Sequence, residues 1–411
     1  MKVLQLNNGY KFGSTGRIVF EIKTVSENNG IEAYAGYGYK AMPHNDARTY
    51  CIQSPLRRKW NILKTRILGK HGFYNKVETR RLIKYIDRIG PDIIHLHNIH
   101  NHYVNVEMLF HYIKRKNIPV VWTLHDCWSF TGWCPHFDYI KCDKWKSECH
   151  HCPLLREYPV TWFFDRSKEL YNQKKACFCG VANMTIVPVS EWLREKVSES
   201  FLKAYPQMMI YNGVDIKCFT PAKDIDVVGE KYNIPPHKKI LLGVASSWTA
   251  KKGLNDYVAL CNKLSSDYQI VLVGISEDKA KALPSSIMCI GRTQSVHELA
   301  AFYTLADIVL NLSYQETFGL TTVEGFACGT PSIVYDRTAS PELITPECGD
   351  IVKAGDIDAL VDAVERIASK GKEFYSLHCI NRVKSMFDKE KQYQKYIDLY
   401  REILSKKENH A

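Results

Sequence analysis

The sequence predicts an α/β protein built from two doubly wound, Rossmann-like domains, each a parallel sheet wrapped by helices. Three observations lead there. At 411 residues the chain is too long for one ordinary core, which sets an expectation of two or three domains. Short apolar, β-prone runs recur along it, and the ones that end in a polar or glycine-bearing loop with a helical pattern beyond follow the order that builds parallel sheets. The clearest unit, Ala306 to Tyr335, reads strand, loop, helix, turn and strand in succession.

Composition bounds the rest. Apolar residues make up 45% and charged residues 24%, as in folded globular proteins. The opening MKVLQLNN lacks the apolar core of a secretion signal, and no apolar run approaches the roughly 20 residues that span a bilayer. A cytoplasmic protein is expected, with its 14 cysteines mostly reduced thiols or metal ligands. The net charge of +11 is concentrated: from Arg57 to Lys84 there are ten Lys and Arg against one acid, Glu78. That run also carries Trp60, Ile62, Leu63, Ile67 and Leu68, so it suits a peripheral position on anionic lipid, each cation adding about 1 kcal/mol near the headgroups. The alternative is a solvated helical face with its apolar side in the core. No nucleic-acid module accompanies the charge, and no nucleic-acid partner is expected.

In chain order, Val3 to Leu6 is a strand, followed by Gly9, Gly13 and Gly16 and then a helix through Ile18, Val19, Ile22 and Val25. A strand, a glycine loop and a helix let backbone amides approach a diphosphate, although the loop is neither a GxGxxG nor a P-loop. Tight turns are the simpler reason for any one of these glycines. Pro91 to His97 and Val120 to Leu124 are two further strands. The first ends among His95, His97, His100 and His102, of which His95 and His97 share one strand face at a spacing that can hold metal, with pocket lining as the preferred reading; the second ends in His125 and Asp126, where a histidine is well placed for chemistry. Next comes a cysteine-rich segment, 127–153. Its Cys134, Cys142, Cys149 and Cys152 suit a structural zinc, with free thiols or a labile disulfide as alternatives. Trp128, Phe130, Trp133 and Phe137 either stack on an acceptor or pack this loop.

Thr185 to Val189 is a strand, and Ser190 caps the helix after it. Lys239 to Ala245 leads into SSWTAKKG; Gln269 to Val273 and Met288 to Gly291 follow, the latter ahead of Arg292. In the Ala306–Tyr335 unit, Glu316 and Glu324 are carboxylates eight positions apart. They only accept hydrogen bonds and suit vicinal hydroxyls. The amides of Phe318, Gly319 and Leu320 open a helix and favour an anion. Asp356 to Ala368 and Lys389 to Leu404 are the last helices.

The two glutamates, embedded in TFGL and followed by GFACGTP, resemble the signature of family 4 glycosyltransferases. The stretch around TLHDCWSFTG resembles the colanic-acid and capsular-polysaccharide type within it. The resemblance covers nearly the whole chain and implies the GT-B fold: an acceptor-side domain 1–205 carrying the cysteine-rich insert, a nucleotide-sugar domain 206–387 facing it across a cleft, and a terminal helix 388–411 crossing back. It implies transfer with retention from a nucleotide-diphosphate sugar, UDP first and GDP second, to a glycan expected to be lipid-linked, with no catalytic metal or cofactor. Carried over by position, His125, Lys252 and Glu316 are catalytic, and Gly13, Gly16, Ser246, Arg292, Thr317, Phe318, Gly319, Leu320 and Glu324 bind the donor. One departure is clear: Ser246 stands where the family has an arginine six residues before the lysine, and Lys251 or Arg17 is left to compensate. The rival readings are a non-hydrolysing nucleotide-sugar epimerase, a zinc-stapled nucleic-acid-binding protein and a non-catalytic scaffold.

Overall fold

Val3, Leu4 and Leu6 are at most 1% exposed, because β1 (Lys2–Asn7) lies at the centre of a six-stranded sheet. The computed structural model describes residues 1–39 and 46–408; residues 40–45 of the first expected domain and 409–411 of the terminal segment lie outside the described residues. The chain forms two units, Met1–Tyr211 with Tyr393–Ala411, and Asn212–Gln392.

In the first unit the strands are β1, β2 (Glu32–Tyr37), β3 (Thr49–Cys51), β4 (Ile93–Leu96), β5 (Val120–Leu124) and β6 (Met184–Pro188). They lie in the order β3-β2-β1-β4-β5-β6, every pair parallel. All five residues of β5 are buried, as expected of a parallel strand covered on both faces. The winding moves outward from β1 to β3 and then returns to place β4 on the other side of β1. Loops at the carboxyl ends of β1 and β4 therefore border the switch point, where such sheets bind ligands.

The second unit repeats the pattern with β7 (Lys239–Val244), β8 (Tyr268–Val273), β9 (Ile287–Ile290), β10 (Ile308–Asn311), β11 (Ser332–Tyr335) and β12 (Gly349–Val352). The order is β12-β11-β10-β7-β8-β9, again parallel throughout. Its switch point lies between β7 and β10, where Leu241 pairs with Ile308.

The basic run splits into two helices of different character. Lys76–Ile89 buries Leu82, Tyr85, Ile86 and Ile89, an ordinary core-facing stripe. Pro55–Leu68, started by Ser54 accepting from the Arg57 amide, buries only Asn61 and Thr65, and leaves Leu56, Trp60, Ile67 and Leu68 exposed. In the cysteine-rich segment Trp128, Phe130, Trp133 and Phe137 are at most 3% exposed and Phe137 stacks on Trp145 at 4.8 Å. They pack the loop and are not open for an acceptor to stack on.

The last helix, Lys389–Glu408, starts in the second unit and ends in the first. Its Tyr393, Tyr396, Ile397 and Tyr400 join Val3, Ile18, Ile22 and Val121 in one buried cluster.

Candidate active site

The two loops that meet at the second switch point are the ones after β7 and β10. They are joined along their backbones: the Tyr314 amide donates to the Lys251 carbonyl at 2.8 Å. Gly253 presses against Leu312 so closely that a Cβ there would lie 2.2 Å from the Leu312 carbonyl oxygen, and its φ is +70°. Only glycine tolerates both. This contact brings Lys252 to Glu316, and the ammonium donates directly to the carboxylate. Both are partly exposed, at 34% and 17% of their side chains. The Glu316 amide is held by Thr338 Oγ1 at 2.8 Å.

Immediately beyond, Gly319 opens the Leu320–Ala327 helix, and the Gly319 and Leu320 amides are the electropositive end of that helix. Phe318 is buried, its ring edge-on to Phe387 at 5.8 Å. One turn into the helix, Glu324 is 9% exposed and its Oε2 accepts from the Tyr303 hydroxyl at 2.9 Å. Glu324 is thus oriented by a buried phenol. Ser246 is exposed after β7, and Arg292 is exposed after β9, the edge strand two places from β7. The structure brings Lys252, Glu316 and the helix start together, and sets Arg292 apart from the switch point.

The first switch point carries different chemistry. Gly13, with φ of 69°, starts the Gly13–Asn28 helix, and Gly16 lies buried beneath the loop, its carbonyl accepting from the Lys11 amide at 2.9 Å. After β4 and β5, His97 and His125 stack at 5.4 Å with Nδ1 of His97 3.1 Å from Nε2 of His125. His97 Nε2 is 3.1 Å from the Gln5 Oε1 acceptor, while the Gln5 amide nitrogen donates to the Val19 carbonyl. The tautomers follow in sequence: His97 donates from Nε2 and accepts at Nδ1, so His125 donates from Nε2 and its Nδ1 is the unprotonated nitrogen. Burial pushes the His125 imidazole down to about 4, against the opposing pull of Asp126, so it is neutral at pH 7. Burial alone would raise Asp126, but the facing His100, hydrogen-bonded at 2.8 Å, holds its carboxyl down at about 2.

Sequence spacing did not reveal Tyr303, Thr338 or Gln5. Each acts on a partner far away in the chain, and only the paired strands bring them into reach.

Among the described residues no three His, Cys, Asp or Glu side chains stand at the distances of a finished metal site. Cys134, Cys142, Cys149 and Cys152 nevertheless line one cavity together with Trp133, Phe137 and Trp145.

Two Rossmann-like units, the second carrying an acid and base pair beside a helix start, define the GT-B class of fold. A family model described as Glycosyltransferase Family 4 matches residues 59–217, and one described as Glycosyl transferases group 1 matches residues 226–382. The first half of the chain thus carries a family 4 glycosyltransferase domain and the second half a group 1 glycosyl transferase domain. The chain is 26% identical over 249 residues to the putative colanic acid biosynthesis glycosyl transferase WcaC of Escherichia coli, covering 57% of this chain and 60% of that protein. It is 29% identical over 213 residues to a GDP-mannose-dependent alpha-(1-6)-phosphatidylinositol dimannoside mannosyltransferase of Mycobacterium tuberculosis, covering 49% and 54%. The matches thus span a little over half the length of these curated relatives. In fold, the chain superposes on sucrose-phosphate synthase of Thermosynechococcus elongatus with a TM-score of 0.74 at 18% identity, covering 98% and 100% of the two chains. For Anabaena HepE, solved with UDP, the TM-score is 0.66 at 14% identity, covering 98% and 100%.

Proposed function

We propose that the protein is a retaining sugar transferase that moves a hexose from a nucleoside diphosphate donor to a hydroxyl of a lipid-linked glycan, in the building of a surface polysaccharide. The observation that carries this reading is the Lys252–Glu316 pair at the amide end of a helix. A nucleotide sugar brings an anionic diphosphate and several hydroxyl donors, which match an ammonium with helix amides and a carboxylate respectively. Lys252 and the Gly319 and Leu320 amides stabilise charge where it grows on the departing diphosphate. Glu316 accepts from the sugar hydroxyls, and Glu324, steadied by Tyr303, accepts from the ribose. The bond from the anomeric carbon to phosphate breaks as the bond to the acceptor oxygen forms on the same face. The acceptor's proton passes to the departing phosphate oxygen. No side chain is assigned as general base; His125 offers a neutral imidazole to a hydroxyl.

Relatives named for GDP-mannose and a fold neighbour solved with UDP support a GDP or a UDP donor. A thermal-shift comparison of UDP, GDP, ADP and CMP with their sugars tests this, since a ligand at a hundred times its Kd adds about 2.7 kcal/mol. Stabilisation by the UDP or GDP series alone is expected; none from any nucleotide would sink the reading. Product anomers read by NMR then check retention, and release of an epimerised donor without acceptor would favour an epimerase.

The acceptor's lipid fits an exposed surface on the first unit. Leu56 and Trp60 of the Pro55–Leu68 helix lie 79% and 53% exposed, and Phe163 70%. The two segments are tied together by the Trp162 amide to the Arg66 carbonyl and by Arg166 Nε to the Leu68 carbonyl, both at 2.7 Å. Arg57, Lys59 and Arg66 are exposed among them. Apolar tips amid cations suit the interface of an anionic bilayer at the cytoplasmic face. The protein is expected to float with phosphatidylglycerol vesicles and not with phosphatidylcholine ones, and Trp60→Ser with Phe163→Ser is expected to abolish flotation. Equal binding to both lipids would refute an electrostatic contribution.

A further inference from the structure

We propose that Cys134, Cys142, Cys149 and Cys152 bind one zinc ion as a four-thiolate structural site, which fixes the long segment between β5 and the Ser167–Phe178 helix. The proposal is independent of the transfer reading and rests on three features of this segment.

The first is convergence. Four cysteines separated by seven, six and two residues line a single cavity of about 20 Å³, room for roughly one water-sized sphere and for a smaller metal ion. As placed, no three of them stand where they could hold a metal ion, so metal binding draws them further into the space they already share.

The second is the way a backbone donor meets a sulfur. The Gly132 amide points at Cys149 Sγ at 3.1 Å. Gly132 has no room for a side chain: a Cβ would lie 2.2 Å from the Ser167 carbonyl oxygen and 2.7 Å from Cys149 Cβ. Glycine here permits an amide to reach a sulfur. Hydrogen bonds to ligand sulfurs of this sort are a regular outer shell of metal-thiolate sites, because they spread the thiolate charge.

The third is an unbalanced cation. Lys174 is wholly buried, its ammonium donating to the Trp128 and Thr131 carbonyls at 2.8 and 2.9 Å and lying 3.5 Å over the Trp128 ring. Among the described residues no carboxylate pairs with it. A buried ammonium without a counter-charge is costly. Four thiols that bind one divalent zinc release four protons to solvent and leave a complex of charge −2, which supplies that counter-charge.

The full chain, purified without chelators, is expected to contain one zinc per molecule by inductively coupled plasma mass spectrometry, with a zinc-edge absorption spectrum fitting sulfur neighbours at about 2.3 Å. Cys149→Ser and Cys152→Ser should lose the metal, while Cys177→Ser and Cys179→Ser keep it. Should the serine variants prove insoluble, Cys142→His tests the same site, since it exchanges one ligand type for another and should retain zinc with a mixed sulfur and nitrogen shell. Protein free of metal whose four cluster thiols are alkylated in the native state, or linked as a Cys134–Cys152 disulfide in the mass spectrum, overturns the proposal.

Discussion

Lys252→Ala is expected to lower kcat by about 10²–10³-fold, the usual loss when one donor to a developing anion is removed, while leaving the fold nearly as stable as before. The second half follows from exposure: Lys252 and Glu316 keep 34% and 17% of their side-chain surface in solvent. A pair that accessible contributes only about 0–1 kcal/mol to stability. Activity and stability should therefore separate cleanly in this variant. Glu316→Ala should match it in activity, and Glu316→Gln should fall between, because an amide still accepts from sugar hydroxyls but no longer balances the ammonium. Steady-state release of nucleoside diphosphate gives kcat and KM, and urea midpoints give stability. Full turnover by Lys252→Ala or by Glu316→Ala would show that the chemistry lies elsewhere.

Acidification is expected to unfold the first unit between about pH 6 and pH 5. Burial holds His71, His95 and His97 well below the ordinary imidazole range, His102 at about 3 and His125 at about 4. Each is neutral in the fold and protonates near 6.5 once unfolded. Their contribution is therefore complete above about 6.5 and is lost as pH falls toward the folded values, roughly 2 kcal/mol each by pH 5. Asp126 does not offset this, since its depressed carboxyl loses stability only at still lower pH. Seven of the eight tryptophans lie in the first unit, so their fluorescence during urea titrations at pH 7, 6 and 5 reports this transition. His71→Phe should flatten the pH dependence by about one proton, because among the described residues His71 Nδ1 has no partner. A urea midpoint unchanged from pH 7 to 5 would mean that these imidazoles are not buried as placed.

The parts of the fold that were legible are those with a one-dimensional signal. VVWTL spans the whole of β5, and SIVY the whole of β11, because strands buried on both faces are continuous apolar runs. No such signal marks β2, EAYAGY, whose alanines and glycine give little hydrophobic contrast, or β12, GDIV, which is four residues long and lies on an edge. The Pro55–Leu68 and Lys76–Ile89 helices merged into one basic run since charge, unlike packing, carries no period. At the candidate site, Glu316 and Glu324 stand out from the TFGL and ACGTP motifs around them rather than from their spacing alone. The partnership of Glu316 with Lys252 does not, as 64 residues separate them and only the neighbouring placement of β7 and β10 brings their loops together. Likewise the His97–His125 pair depends on β4 lying beside β5.

The terminal helix has a consequence for how the protein is made. The cluster formed by Val3, Ile18, Ile22 and Val121 is completed by Tyr393, Tyr396, Ile397 and Tyr400, residues that leave the ribosome after the entire second unit. At about 5–20 residues per second, the first unit waits on the order of 10–40 seconds with part of its core uncovered. During that interval the second unit, continuous from Asn212 to Gln392, is free to fold. The half that is translated first is thus finished last, and during synthesis it is the half that most needs a chaperone's protection.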